Sequence, residues 1–293
     1  MQIYPDVDYI ASHDKDLFFA QYFQKKPVVI KGYYLNSRAV KNWDKNYITN
    51  VCGKTLVKVH YGPTNQNQKK VMSVEEYIEL IHNNDLLQEG LMDDTQQLYL
   101  YNFQLMKLGE KLLEDLDLNP QHLIGKWYHK NWRRDLFFFY GNRHTRSRLH
   151  YDSLGTHNTF FQISGKKKFI LIPYQQIDKC YIDYPRNTFS NVDPEHPDFN
   201  HFPLFKDAQP QQAILEGGDV LYMPPYTLHY VRGLNVNISM NIDWHTPKSV
   251  MEAFTSGRVN GLICHYWNFI SFLGVSCRIP NDVLYPLYKS QYR

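Results

Sequence analysis

His150-Tyr151-Asp152, followed by Asn158-Thr159-Phe160-Phe161-Gln162-Ile163-Ser164-Gly165-Lys166-Lys167-Lys168-Phe169-Ile170-Leu171-Ile172-Pro173, is the stretch on which the fold turns. Two apolar runs, 159–163 and 168–173, are separated by Ser164-Gly165, a turn signal. Similar short runs recur at 136–140, 149–152, 220–223, 228–232 and 236–244. Gly141-Asn142, Gly217-Gly218-Asp219 and Arg232-Gly233 mark turns between several of them. Closely spaced short strands with turn signals predict an all-β sandwich or barrel from about 135 onward.

Outward from this region the character changes. Residues 14–24 read as helix, and Val28-Val29-Ile30 reads as a strand closed by Gly32. Ser73-x-x-Glu76 before Tyr77, Ile78, Leu80 and Ile81 is a capping box that predicts a helix start. Leu98-Tyr99-Leu100-Tyr101 reads as a strand, and the segment 183–212, with five prolines, as a long surface loop. Residues 247–273 read as helical and rich in bulky apolar groups. Trp267, Phe269, Ile270, Phe272 and Leu273 suit either a cap on the barrel or a homodimer interface.

The chain has 293 residues, 43% hydrophobic and 21% charged, which excludes a disordered chain. Aromatics reach 15%, in keeping with a large β component. Four cysteines at 52, 180, 264 and 277 form no CxxC, so neither a zinc knuckle nor a disulfide framework is expected. The N-terminal residues carry charges where a signal peptide needs an apolar run, and the most apolar stretch, 259–275, is broken by Asn260, His265 and Asn268. No membrane span and a reducing, cytoplasmic setting are expected. Net charge is +3, too mild to argue for nucleic acid.

Residues i and i+2 of a strand share a face, so His150 and Asp152 set an imidazole beside a carboxylate. Farther on, Gly218-Asp219-Val220 leads through Pro224 to His229. A ligand from a neighbouring strand would complete two histidines and one carboxylate, a set that suits non-haem Fe(II). The bland reading of His150 and Asp152 is a hydrogen-bonded core pair. A second triplet, His196-Pro197-Asp198, lies in the proline-rich loop and reads as a surface feature. Strand parity puts Lys167 with Phe169 and Leu171, and an inward lysine needs an anion. The bland alternative is three solvated lysines at a turn.

As an ordered set, His150-x-Asp152, Gly165-x-Lys167, Gly218-Asp219-Val220-x-x-x-Pro224, His229 and Asn241-x-x-Trp244 resemble the JmjC and cupin-like 2-oxoglutarate oxygenases. Within them the chain is most similar to the hypoxia-inducible-factor asparaginyl hydroxylase and tRNA wybutosine hydroxylase branches. The likeness runs over about residues 20–246 and includes Asn191-Val192-Asp193-Pro194 and Lys26-Pro27-Val28-Val29-Ile30. It implies a double-stranded β-helix (jelly-roll) core at 131–246, an α+β N-terminal part at 1–130 and a helical cap or dimerisation segment at 247–293. It implies that His150, Asp152 and His229 ligate Fe(II), and that Lys167 pairs with the distal carboxylate of 2-oxoglutarate. Ser147 and Tyr99 would assist that carboxylate, and Asn158 and Asn241 would stand near the metal-bound end. The step from Asp152 to Gly165 is longer than the resemblance implies, with the extra residues around Ser153-Leu154-Gly155-Thr156-His157. His144 and His157 read as surface or supporting residues, not ligands.

The activity so implied consumes O2 and 2-oxoglutarate, releases succinate and CO2, and hydroxylates a C–H bond. A protein or peptide side chain is the leading substrate class. A modified tRNA nucleoside is the second, with Arg133, Arg134, Arg143, Arg146 and Arg148 upstream of the metal motif as candidate phosphate contacts. N-methyl-lysine demethylation ranks below these, and a non-catalytic cupin binding module is the alternative of a different class.

Overall fold

Alternation along the strands builds two sheets with a shared interior. The computed structural model describes residues 2–62, 68–87, 97–182, 188–259 and 261–288. Its strands are β1 (Tyr9–Ala11), β2 (Val28–Lys31), β3 (Leu56–Tyr61), β4 (Lys69–Ser73), β5 (Leu98–Gln104), β6 (Leu136–Gly141), β7 (Arg146–His150), β8 (His157–Ser164), β9 (Lys166–Ile172), β10 (Gln211–Glu216), β11 (Val220–Met223), β12 (Leu228–Gly233) and β13 (Asn237–Trp244). Helices are α1 (Lys15–Leu17), α2 (Arg38–Asn42), α3 (Lys45–Cys52), α4 (Val74–Asp85), α5 (Glu110–Glu114), α6 (Pro247–Thr255), α7 (Leu262–Val275) and α8 (Asn281–Tyr288). The larger sheet has the order β1-β2-β11-β8-β13-β6-β5-β3-β4, and the smaller β10-β9-β12-β7. This is the mainly β, two-sheet jelly roll with flanking helices that the sequence predicts.

Strands β1 to β5 do not form a sheet of their own but extend the larger one at both edges. Between the sheets lies an apolar interior of Phe139, Phe160, Phe169, Leu171, Leu215 and Leu221. On its other face the larger sheet packs against the N-terminal helices through residues such as Trp43, Tyr77, Phe138 and Phe161. The capping signal holds: the Ser73 side chain accepts from the Glu76 N–H and opens α4. The helical reading of 14–24 becomes α1 running into a π-helical turn, Phe18–Tyr22.

One expectation needs correction. The segment 183–212 is not a loop lying loosely on the surface. Residues 183–187 lie outside the described ones, but Val192 and Phe205 are buried against the smaller sheet. Its end begins β10, which pairs antiparallel with β9. Proline and aspartate correctly mark irregular backbone, yet apolar anchors and a short Ala213-x-Leu215 alternation still bury it. Of the surface and supporting roles open to His157 the structure gives it the second: it is fully buried, 2.8 Å from the Tyr222 hydroxyl and stacked on Trp244.

Gly165 makes the β8–β9 turn with φ +67°, and a Cβ there would stand 2.1 Å from the Val236 carbonyl oxygen. Only glycine fits such a turn at no steric cost. The turn sets the parity of β9 and thereby sends Lys167 inward.

Candidate metal and cosubstrate site

His150 and His229 are paired across β7 and β12. Between this pair and the pair Val231–Ser147 the register slips, with two steps on β12 matched by three on β7. Such a bulge re-aims the side chains beside it. His150 Nε2 lies 4.0 Å and His229 Nε2 3.9 Å from Asp152 Oδ1. One donor atom from each of the three residues falls within 4.8 Å of the others.

The backbone decides which imidazole nitrogen is available. His150 Nδ1 is 2.7 Å from the Arg148 carbonyl and His229 Nδ1 is 3.0 Å from that of Thr227. A carbonyl only accepts, so each Nδ1 carries the proton and each Nε2 presents its lone pair to the gap. Burial, and then the neighbouring His229, pushes the His150 pKa down to about 4, so the ring is neutral at ordinary pH. Two imidazoles and a carboxylate around one gap are a candidate metal-binding set, and its donor chemistry fits Fe(II).

Lys167 is 1% exposed. Its ammonium donates to Tyr99 Oη at 2.9 Å and Ser239 Oγ at 2.7 Å, and sits within about 5 Å of the Phe139 and Phe160 rings. Both hydrogen-bond partners are neutral, and burial holds the Lys167 pKa well below the usual lysine range. Lys167 pairs with Gly233 and Leu171 with His229, so four strand positions, about 13 Å, separate the lysine from the histidine row. A buried cation at that remove from a metal-ligand set fits a small dicarboxylate between them. Asn158 and Asn241 each have a buried amide oxygen without a partner among the described residues, while Asn158 Nδ2 donates to Asp243 Oδ1 at 2.8 Å.

Of the residues expected from sequence, His150, Asp152 and His229 come together, and Tyr99 meets Lys167. Ser147 lies half-buried across from Val231, and among the described residues no hydrogen bond joins it to Lys167. Ser239 and Asp243 escaped the sequence reading. Ser239-x-Asn241-x-Asp243 places three polar residues on one face of an apolar strand, a signal that was there to find. The arginines upstream are largely committed within the chain. Arg133 donates to the Leu116 carbonyl, Arg134 pairs with Asp282, Arg143 with Asp85, and Arg148 donates to the Ser190 carbonyl. The second triplet behaves as expected: His196 is exposed and pairs with Asp193.

A family model described as a cupin-like domain matches residues 15–250. The chain belongs to the cupin-like family of JmjC type. This cupin-like chain is 30% identical over 216 residues to JmjC domain-containing protein D of Dictyostelium discoideum, covering 68% of the chain and 47% of that protein. It is 30% identical over 227 residues to lysine-specific demethylase 8 of Xenopus tropicalis, covering 75% and 48%. It is 27% identical over 243 residues to tRNA wybutosine-synthesizing protein 5 of Homo sapiens, covering 79% and 75%. The cupin-like chain thus spans about half the length of the first two relatives and three quarters of the third.

Proposed function

We propose that the chain is an Fe(II)- and 2-oxoglutarate-dependent dioxygenase that hydroxylates a C–H bond of a protein side chain. The observation that carries this reading is Lys167, a buried lysine without a counter-charge among the described residues, in the same β-helix as the His150–Asp152–His229 set. His150, Asp152 and His229 would hold the iron, and Lys167, with the Tyr99 and Ser239 hydroxyls, the distal carboxylate of 2-oxoglutarate. When bound, the iron and its cosubstrate supply oxidation of an unactivated C–H bond, with 2-oxoglutarate and O2 converted to succinate and CO2. The chain's own residues bind and orient. Arg148 and Thr227 carbonyls fix the two imidazole tautomers. Phe139, Phe160 and Phe169 exclude water around the Lys167 ammonium and strengthen its charge-assisted bonds. Asn158 and Asn241 offer amide oxygens toward the metal-bound end, and Ser147 stands on the same strand as His150.

A tRNA nucleoside is the second reading, favoured by the match with the wybutosine protein over about three quarters of both chains. N-methyl-lysine demethylation uses the same residues, and the match to the demethylase covers about half of that protein. The exposed row Leu262, Ile263, Tyr266 and Phe269 on α7 suits a second copy of the chain, which mass measured against concentration tests. Four unpaired cysteines suit a reducing compartment such as the cytoplasm. No helix among the described residues is long and apolar enough to cross a membrane.

Anaerobic titration of the wild type with Fe(II) and 2-oxoglutarate, followed by succinate release in air, tests the reading. Metal-dependent cosubstrate binding that disappears in His150→Ala supports it. A wild type that binds neither ligand would leave a non-catalytic cupin.

A further inference from the structure

The two histidines of the candidate set are held by the pairing of β7 with β12, but Asp152 lies outside both strands. It opens a turn closed by the Gly155 N–H, which donates to the Asp152 carbonyl at 3.1 Å. The place of its carboxylate therefore depends on what that turn leans against. It leans on Tyr226. A Cβ on Gly155 would stand 2.3 Å from the Tyr226 hydroxyl oxygen and 2.5 Å from its Cζ, so the phenol fills the space that glycine leaves open. Gly155 falls in the stretch that makes the step from Asp152 to Gly165 longer than the resemblance implies.

Tyr226 stands where glycine is favoured. Pro224, Pro225, Tyr226 and Thr227 make a tight turn, with the Thr227 N–H 3.3 Å from the Pro224 carbonyl. Pro225 takes the second position, and Tyr226 takes the third with φ +62°. A bulky side chain persists at such a position only where its surroundings hold it. The Tyr226 ring is 4% exposed, edge-on to Tyr151 at 6.0 Å and packed on Tyr174 at 5.4 Å. Tyr151 is the residue between His150 and Asp152. Ser256 Oγ lies 3.3 Å from the Tyr226 hydroxyl. Next along the chain, Thr227 supplies the carbonyl that accepts from His229 Nδ1 at 3.0 Å. One side chain thus touches the Asp152 turn and the residue that joins His150 to Asp152, while its backbone leads to the group that orients His229.

We infer that Tyr226 is a positioning residue. Its ring fixes the spacing of Asp152 from the two histidines, and with it the arrangement of the three donor atoms. The inference rests on the metal-binding reading of that set. The ring carries the role more than the hydroxyl does, because Cε1 as well as Cζ lies against Gly155 and the ring is what meets Tyr151 and Tyr174.

The test uses the full chain and Co(II), a divalent probe that does not oxidise in air as Fe(II) does and whose visible bands report the geometry of its ligands. Tyr226→Gly gives the turn the residue it favours and removes the ring. It is expected to weaken Co(II) binding about tenfold or more and to shift the bands, while Tyr226→Phe, which keeps the ring, stays within about threefold of the wild type. Gly155→Ala drives a methyl group into the ring. It should shift the bands of the wild type and add little in Tyr226→Gly, the coupling expected of two groups in contact. Far-ultraviolet circular dichroism checks the fold of each variant. Where Tyr226→Gly does not fold, Gly155→Ala alone decides, with shifted bands for the inference and wild-type bands against it. A folded Tyr226→Gly with wild-type affinity and bands overturns the inference alone, as does a Tyr226→Phe as weak as Tyr226→Gly. A wild type that binds Co(II) no better than His150→Ala overturns the metal-binding reading and this inference with it.

Discussion

Lys167 is more expensive to the fold than any apolar residue of its size would be. Among the described residues it has two neutral hydroxyl partners and no anion, so its ammonium is desolvated with little return. Function and stability therefore pull apart at this one position. Lys167→Met keeps the volume and removes the charge. Its melting temperature should equal or exceed that of the wild type, while its affinity for 2-oxoglutarate should fall about thirty-fold or more. Calorimetric titration and thermal unfolding of the same samples check both halves. A variant that melts well below the wild type would mean that the amine serves the fold. At the triad the expectation differs. His229→Ala should abolish Fe(II) binding, read by metal analysis after dialysis, with a retained far-ultraviolet circular dichroism spectrum.

At the level of elements, a buried ion cluster fastens the loop before β10 to the smaller sheet. Glu195, 2% exposed, lies 3.1 Å from Lys168 Nζ on β9 and 2.9 Å from Arg232 Nε on β12, and accepts from the Tyr230 hydroxyl at 2.8 Å. Glu195→Ala strands two cations in the interior and should cost about 3–5 kcal/mol. Urea unfolding measures it, and a loss under about 1 kcal/mol would show the cations reaching water instead. The cluster also explains what sequence reading reached and what it missed. Lys166, Lys167 and Lys168 looked like one charge run, and strand parity separated Lys167 from its neighbours. Parity could not say that Lys168 is buried too, because its partner Glu195 is twenty-seven positions away. Local alternation and turn glycines made β6 to β9 and β11 to β13 legible. β10 was missed because Gln211-Gln212-Ala213-Ile214-Leu215-Glu216 alternates weakly and directly follows a proline-rich stretch. His157 could be read only as surface or supporting, because its burial comes from Tyr222 and Trp244 on strands distant in sequence.

For the whole molecule, buried histidines tie stability to pH. His60, His122, His150 and His245 are each pushed from 6.5 down to about 4, chiefly by burial. They lie in different parts of the fold: the cavity beside β3 and β5, the N-terminal layer, the candidate metal-binding set and the junction with α7. A folded-state histidine pKa below the unfolded value means that the unfolded chain binds more protons under pH about 6.5. Stability is therefore full above that pH and falls as pH drops from about 6.5 toward about 4. The urea midpoint of the metal-free chain should hold between about pH 8 and about pH 7 and fall steadily toward about pH 5. His245 tests the assignment at a ring outside the candidate metal set, because it is held by Ser249 and Asn268 at 3.0 Å each. A glutamine can bond both neighbours and does not titrate in this range. His245→Gln should therefore lower the acid sensitivity while leaving the midpoint near neutrality close to that of the wild type. An unchanged slope in the variant would assign the acid loss to carboxylates rather than to these rings.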